Sequence, residues 1–378
     1  MVHKPRVVVL GAGFGGLELS TLLSETLDDR IEVTLIDKGE AFVFGYAKLD
    51  VMFGRETLDA VRLPYRNFAK PGVRLLRQAV TAIDPERKAV ATDGGTYEAD
   101  FLVVALGADY DIDATPGLAE ANEFYSVAGA EELRRLLPGF SKGKAIVGVC
   151  GAPFKCPPAP SECALMLHDY LVAGGVREAC EIGLVMPFSE PVPPSPETSQ
   201  ALIAAFAERG IEFIPGRAVA SIDPARKVAV LDDGTEMAFD LFLGVPKHRA
   251  PQVVAAAGLT ENGWITVNPR TLETRFPGVY AIGDGANTGT PKAGVFAEGT
   301  ARAVASDVIA RLRKAGQSTA YDGRGTCYFE FGGGRVAKVE VDFFSGPKPT
   351  GIYHEPSLAM RTEKEAFGSS RRARWFGL

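Results

Sequence analysis

The sequence predicts an α/β protein with two Rossmann-like dinucleotide-binding domains, the second inserted into the first, and a small C-terminal domain. Three observations predict it. RVVVLGAGFGG, residues 6–16, runs from a β-branched stretch into a glycine turn; a second β-rich run ends on an acid, Asp37; and a long segment beginning at Ala79 recurs in diverged form from Ala218. A chain of 378 residues also exceeds the usual size of one domain.

Taken in order, residues 6–10 are expected as a strand, LELSTLLSETL as a helix and residues 32–36 as a second strand. Strand, glycine turn, helix, strand, acid is the opening of a dinucleotide-binding unit. Gly11 suits the tight turn, Gly13 lets the backbone approach a pyrophosphate, and Gly16 permits close packing of helix on strand. The helix N-terminus adds partial positive charge for phosphates. Asp37 is placed to accept hydrogen bonds from a ribose.

The repeat pairs AVTAIDPERKAVATDGGTYEADFLVVALG with AVASIDPARKVAVLDDGTEMAFDLFLGV. Each copy reads as a three-stranded meander that closes a domain before the chain re-enters a main sheet. Val80 is the second residue of the first copy and Gly107 closes it; both are candidate cofactor contacts. Between the copies, residues 144–149, 181–186 and 211–214 are strand-like, and residues 161–172 and 197–209 are helix-like. GVYAIGDGAN carries a late strand of the first domain. The expected division is residues 1–110, first domain; 111–240, inserted domain; 241–320, return to the first domain; and 321–378, C-terminal domain. In the last, CYFEF and RVAKVEVDFF form a hairpin about three glycines, followed by a proline-rich loop and an arginine- and aromatic-rich end.

Composition narrows the function. Hydrophobic residues at 46% and charged residues at 23% are ordinary for a globular chain, and a net charge of −6 gives nucleic acid no general attraction. No apolar run approaches a membrane span, and no charged-then-apolar leader precedes the first strand. A cytoplasmic location, at most peripheral on a membrane, is expected. Five cysteines, an odd number, argue against a structural disulfide framework.

The motifs carry a resemblance. VYAIGD, with Asp284, resembles the second flavin motif of the two-domain FAD/NAD disulfide reductase superfamily, and FLVVALGA resembles its Ala-Thr-Gly turn with Leu106 in place of threonine. The resemblance implies FAD in the first domain, with Asp284 on the ribityl chain. Lys292, in TPKAGVFAEGTA, is a candidate cation for the reduced flavin ring, the alternative being a solvated lysine.

In the inserted domain the turn that should cradle a second dinucleotide reads GVCGAPFKCPPAPSEC. Pro157, Pro158 and Pro160 have no N–H to offer a pyrophosphate, so a nicotinamide site is not expected there. The prolines would instead hold Cys156 as a nucleophile, with Lys155 favouring its thiolate and Glu162 moving a proton; the alternative is a small buried residue. FKCPPAPSE resembles the cysteine motif of the sulfide:quinone oxidoreductase and flavocytochrome c sulfide dehydrogenase group. There Cys156 and Glu162 match by position, Cys327-Tyr328 matches the second redox cysteine, and KLDVMFGR is a similar segment. Ser161 departs from the group's aromatic.

The resemblance implies sulfide oxidation through a Cys156/Cys327 pair, non-covalent FAD (no cysteine precedes Cys150) and a quinone acceptor. Phe329, Phe331, Phe343, Phe344, Trp375 and Phe376 are candidate walls of a quinone slot, and the final arginines are candidates to rest on anionic lipid. Cys150, Cys163 and Cys180 have no counterpart in the group and are expected to be buried, with Cys150 or Cys163 a candidate sulfur relay. A type II NAD(P)H:quinone dehydrogenase, a flavin-binding redox sensor, and a related enzyme acting on persulfides or thiols remain alternatives. Oligomeric state is not legible.

Overall fold

The computed structural model describes residues 4–314 and 316–378; the first three residues, part of the start read as leaderless, lie outside the described residues. Arg6–Leu10 is buried along nearly its whole length because it is central in a parallel sheet covered on both faces. That five-stranded sheet runs Val279–Ala281, Phe101–Val104, Arg6–Leu10, Glu32–Asp37, Val73–Arg77. All its pairings are parallel. The helix of the glycine turn, Phe14–Leu27, lies against the long helix Gly294–Arg313, so the first and last parts of this unit meet side by side.

A second parallel sheet runs Ile211–Pro215, Cys180–Met186, Gly143–Val149, Leu241–Val245. Two Rossmann-like sheets in one chain are the predicted fold class. The expected return to the first unit after residue 240 is corrected: Leu241–Val245 pairs with Gly143–Val149, and the first sheet is rejoined only at Val279–Ala281. Leu241–Val245 is buried throughout and fills the second sheet's open side.

Each repeat copy is a three-stranded meander, Val80–Asp84, Ala89–Thr92, Gly95–Glu98 and Val219–Asp223, Val228–Leu231, Glu236–Ala238. Both carry a register shift at the equivalent place, after Val80 and after Val219. The shared irregularity agrees with one ancestral unit used twice.

The C-terminal hairpin forms as expected from Arg324–Glu330 and Val336–Asp342. A third antiparallel strand, Thr350–Ser357, and a helix, Leu358–Arg371, follow where the sequence offered only a loop and a tail.

The end of the chain also departs from expectation. Trp375 and Phe376 are buried. The Trp375 ring meets Phe14 and Phe42 edge-on and lies parallel to Phe44, and its indole N–H donates to the buried Glu18 carboxylate at 3.0 Å. Phe329 and Phe331 are core residues too. Arg371 makes two hydrogen bonds to Glu298, at 2.5 and 2.7 Å, and Arg374 reaches Glu25 at 2.9 Å. These aromatics, with Arg371 and Arg374, are therefore engaged within the fold. Among the described residues no helix is long and apolar enough to cross a membrane.

Candidate active site

One cavity of 380 Å³ collects the motifs. Its floor is the glycine turn. Gly11 has φ +100°, and a Cβ there would lie 2.3 Å from the Ala105 carbonyl oxygen; one on Gly16 would lie 1.9 Å from that of Gly11. Gly13 differs: a Cβ would meet nothing within 4 Å, because this residue faces the cavity. Asp37 lies just outside, its two carboxylate oxygens accepting the Ala12 and Gly39 N–H groups at 2.7 Å each. Val80 starts the first meander opposite Thr92 and is not on the cavity wall.

Gly107, Asp284 and Lys292 do line the cavity. Among the described residues the Asp284 side chain has no hydrogen-bond partner. Burial pushes its carboxyl up, while Lys155, Lys292 and Lys48 pull it back. Lys292 is buried, not solvated: its ammonium donates to the Asp284 carbonyl at 2.7 Å and sits 3.4 Å from the Trp264 ring centroid. Burial lowers it to about 8 against the upward pull of Asp284. The helix Gly294–Arg313 begins at the same wall with no side-chain cap, and its positive end, with the Gly294 and Val295 N–H groups, is directed there.

Cys156, Cys327 and Glu162 come from three distant segments and line this one cavity. Cys156 ends the inserted domain's glycine turn, with φ +50° and its N–H donating to the Lys292 carbonyl at 2.7 Å. Glu162 sits in the first turn of the helix Ala159–Ala173, in which Pro160 costs no hydrogen bond. Cys327 is central in the strand Arg324–Glu330, opposite Val339. Both cysteines are free thiols. Burial pushes the Cys156 thiol well up, and the charges of Glu162 and Cys327 add to this; burial and Glu162 push Cys327 up to about 12. The electrostatic linkage of all three groups follows from their sharing one wall.

Glu162 itself is 1% exposed and is pushed up by burial to about 7. Its carboxylate accepts the Glu330 backbone N–H at 2.9 Å and lies 3.8 Å from the Lys364 ammonium. Lys364 donates to the Glu330 carboxylate at 2.8 Å, which in turn pairs with Arg55 at 3.1 Å. A carboxyl titrating near neutrality, held beside two thiols, is suited to give and take a proton at physiological pH.

The expectation that Lys155 favours the Cys156 thiolate is corrected. Its ammonium donates to the Ala108 carbonyl at 2.9 Å and sits 4.1 Å from the Tyr110 ring centroid. Lys48 and Lys364 are the cations that pull Cys156 down, and burial outweighs them. The relay expectation fails as well: Cys150 and Cys163 are buried in core clusters and neither lines the cavity. The C-terminal aromatics that do line it are Tyr328 and Phe367, neither of them among the six candidate walls of a quinone slot. Lys48, Lys364 and Glu330 were also missed. Lys48 left a trace inside the quoted KLDVMFGR segment and Glu330 inside CYFEF; Lys364 left none.

A second cavity of 640 Å³ shares Val295, Thr326, Tyr328 and Phe367 with the first. Most of its remaining lining is charged: Glu298, Arg302, Asp322, Arg324, Glu363 and Arg371.

Comparisons with known proteins show the family and the fold. The profile of the pyridine nucleotide-disulphide oxidoreductase family matches residues 5–305, and the chain belongs to that family. It is 25% identical over 352 residues to a sulfide-quinone reductase of Aquifex aeolicus, covering 86% of this chain and 81% of that one. It is 28% identical over 247 residues to an alternative NAD(P)H-ubiquinone oxidoreductase of Arabidopsis thaliana, covering 59% of this chain and 46% of the other. The crystal structure of the Aquifex aeolicus sulfide:quinone oxidoreductase superimposes with a TM-score of 0.86 at 22% identity, covering 98% of this chain and 91% of that chain. At that identity the superposition shows the fold.

Proposed function

We propose that this member of the pyridine nucleotide-disulphide oxidoreductase family oxidises sulfide through Cys156 and Cys327 and passes the electrons by way of non-covalently held FAD to a quinone. The observation that carries it is the convergence of Cys156, Cys327 and Glu162 on the cavity that also receives Gly13, Gly107 and Asp284.

The residues fit FAD. The open Gly13 position and the helix behind it suit a pyrophosphate. Asp37, beside the turn, keeps unused lone pairs for a ribose, and the unpartnered Asp284 carboxylate suits the hydroxyls of a ribityl chain. When bound, FAD supplies a two-electron acceptor next to the thiols. Lys292 and the uncapped start of the helix Gly294–Arg313 would favour negative charge there.

Starting from the oxidised pair, hydrosulfide attacks one sulfur of the Cys156–Cys327 disulfide. An S–S bond forms to the incoming sulfur, the old S–S bond breaks, and the products are one persulfide and one thiolate. Glu162 holds the proton that the thiolate or persulfide gives or takes. A second hydrosulfide attacks the outer sulfur of the persulfide, an S–S bond forming to it as the bond to the cysteine sulfur breaks, and departs as hydrodisulfide. Both cysteines are then reduced, and the two electrons they carry, passed on by way of FAD when it is bound, convert a quinone with two protons to its quinol. The second cavity, separated by Tyr328 and Phe367, is the proposed approach for that acceptor. The prolines of the inserted domain leave no phosphate cradle for NADH, which favours sulfide over a nicotinamide donor.

Anaerobic addition of sulfide, then NADH, to the FAD-loaded protein tests this. Sulfide is expected to bleach the flavin band rapidly, and Cys156→Ala and Cys327→Ala to abolish bleaching. Bleaching by NADH alone would replace this reading with a type II NADH:quinone dehydrogenase. Inertness to both would indicate a flavin-binding sensor, and bleaching by persulfides or thiols but not sulfide would change the substrate.

A further inference from the structure

We infer that Lys48 and Lys155 form an anion subsite beside Cys156, and that the sulfur substrate occupies it as a monovalent anion, hydrosulfide or a small thiolate. The imbalance of charge on the cavity wall is the starting point. Four lysines line it, Lys48, Lys155, Lys292 and Lys364, against two carboxylates, Asp284 and Glu162. Lys364 is satisfied by Glu330 and Glu162, and Lys292 by the Asp284 carbonyl and the Trp264 ring.

Unlike Lys364, Lys48 and Lys155 have no carboxylate partner among the described residues, and unlike Lys292 they are not assigned to the flavin ring. The Lys48 ammonium donates to the Tyr125 carbonyl and to the Tyr110 hydroxyl, the latter at 3.5 Å. Lys155 donates to the Ala108 carbonyl and rests on the Tyr110 ring. Among the described residues neither forms an ion pair. An ammonium has three N–H donors, so both keep donors in hand. Glu123, whose charge reaches both, is already engaged by the Tyr125 and Ser126 N–H groups and the Ser126 hydroxyl. Burial and mutual repulsion lower Lys48 to about 8, so it is still largely charged at neutral pH.

Two partly desolvated cations that repel each other are relieved by an anion between them. Asp284, whose charge reaches both, forms an ion pair with neither and is assigned to the ribityl chain, and the thiol beside them needs a nucleophile delivered as an anion, since thiolate and not thiol attacks a disulfide. The identity of the anion rests on the function proposed above; the subsite does not.

The test uses the FAD-loaded protein, with Lys48→Met, Lys155→Met and the charge-keeping Lys48→Arg. In anaerobic flavin bleaching, Lys48→Met is expected to raise the half-saturating sulfide concentration about tenfold, with Lys48→Arg recovering most of the loss. Cysteine in place of sulfide, run alongside, separates a small thiolate from hydrosulfide. Calorimetric titration with thiocyanate, an inert monovalent anion, is expected to show binding that both methionine variants lose. An unchanged half-saturation in both methionine variants overturns the subsite, even if Lys48→Met shifts the flavin potential. Should sulfide fail to bleach the native protein, thiocyanate decides: lysine-dependent binding upholds the subsite and places the failure with the proposed reaction, and its absence overturns the subsite.

Discussion

Glu162→Gln should stabilise the protein at alkaline pH while disabling it. The Glu162 carboxyl titrates near 7 in the fold against an ordinary value of 4.5, with burial as the main cause. Below pH 4.5 the group is protonated in both the folded and unfolded chain and adds no pH dependence. Between 4.5 and 7 the unfolded chain releases the proton and the folded one keeps it, so the native protein loses stability as pH rises. At about 1.4 kcal/mol per unit, the loss is about 3 kcal/mol once pH exceeds 7. Glutamine does not titrate and can still accept the Glu330 N–H. Lys364 stays protonated across this window because Glu162 and Glu330 outweigh the downward pull of burial. Urea unfolding at a series of pH values is the assay. The stability gap should open in favour of Glu162→Gln by about 3 kcal/mol from pH 4 to pH 8, a midpoint shift of about 1 M if the slope is about 3 kcal/mol per M. The same variant should lose about 100-fold or more in sulfide-driven bleaching. A gap that stays flat with pH would refute the claim that burial holds this carboxyl protonated.

Other outcomes follow from packing and charge. Trp375→Ala removes a buried ring from between Phe14, Phe42 and Phe44 and strips the Glu18 carboxylate of its indole partner, so thermal unfolding should show a loss of about 3–5 kcal/mol. Gly16→Ala drives a Cβ into the Gly11 carbonyl and should lower the melting temperature of the cofactor-free protein. Gly13→Ala, open on that side, should leave that temperature unchanged and cut the flavin content instead. Lys292→Met should lower the flavin reduction potential by about 30 mV, about 1.4 kcal/mol for a two-electron couple, read by redox titration.

What the sequence revealed and what it hid divide along one physical line. The glycine turn, Asp37, the repeated meanders and the C-terminal hairpin are legible because each is a local pattern: a left-handed φ, a strand period, an Asp-Pro or glycine turn. Cys156 and Glu162 were legible as one short motif, and Cys327 through its Tyr328 neighbour. Leu241–Val245 was assigned to the wrong side of a boundary because nothing in LFLGV tells which of two parallel sheets it joins; its pairing with Gly143–Val149 decides that. The terminal helix was hidden by its charge. Lys364 sits among Glu363, Glu365 and Arg361 and reads as solvated, yet Glu162 and Glu330, from two other elements, bury it. Trp375 and the arginines around it look like a membrane-facing end until the acids of the helices Phe14–Leu27 and Gly294–Arg313 claim them.

The inserted unit keeps its sheet while its nucleotide turn does other work. After Gly143–Val149 the chain should present N–H groups to a pyrophosphate; it presents Cys156 with φ +50° and two prolines in succession. A left-handed backbone at a side chain with a Cβ costs about 1–3 kcal/mol and persists only where the surroundings fix it. Here they do so from both units. Residue 155 pairs with residue 292 as a parallel bridge, and the Cys156 N–H is held by the Lys292 carbonyl. Cys156 of one unit is thus tied by its backbone to the segment that brings the buried cation of the other. Sliding one unit past the other would break that bond, move Lys292 relative to Asp284 and take Cys156 off the wall it shares with Cys327. A turn that had to open for a dinucleotide could not carry this tie, which gives a physical reason for the prolines to stand where a phosphate cradle would be.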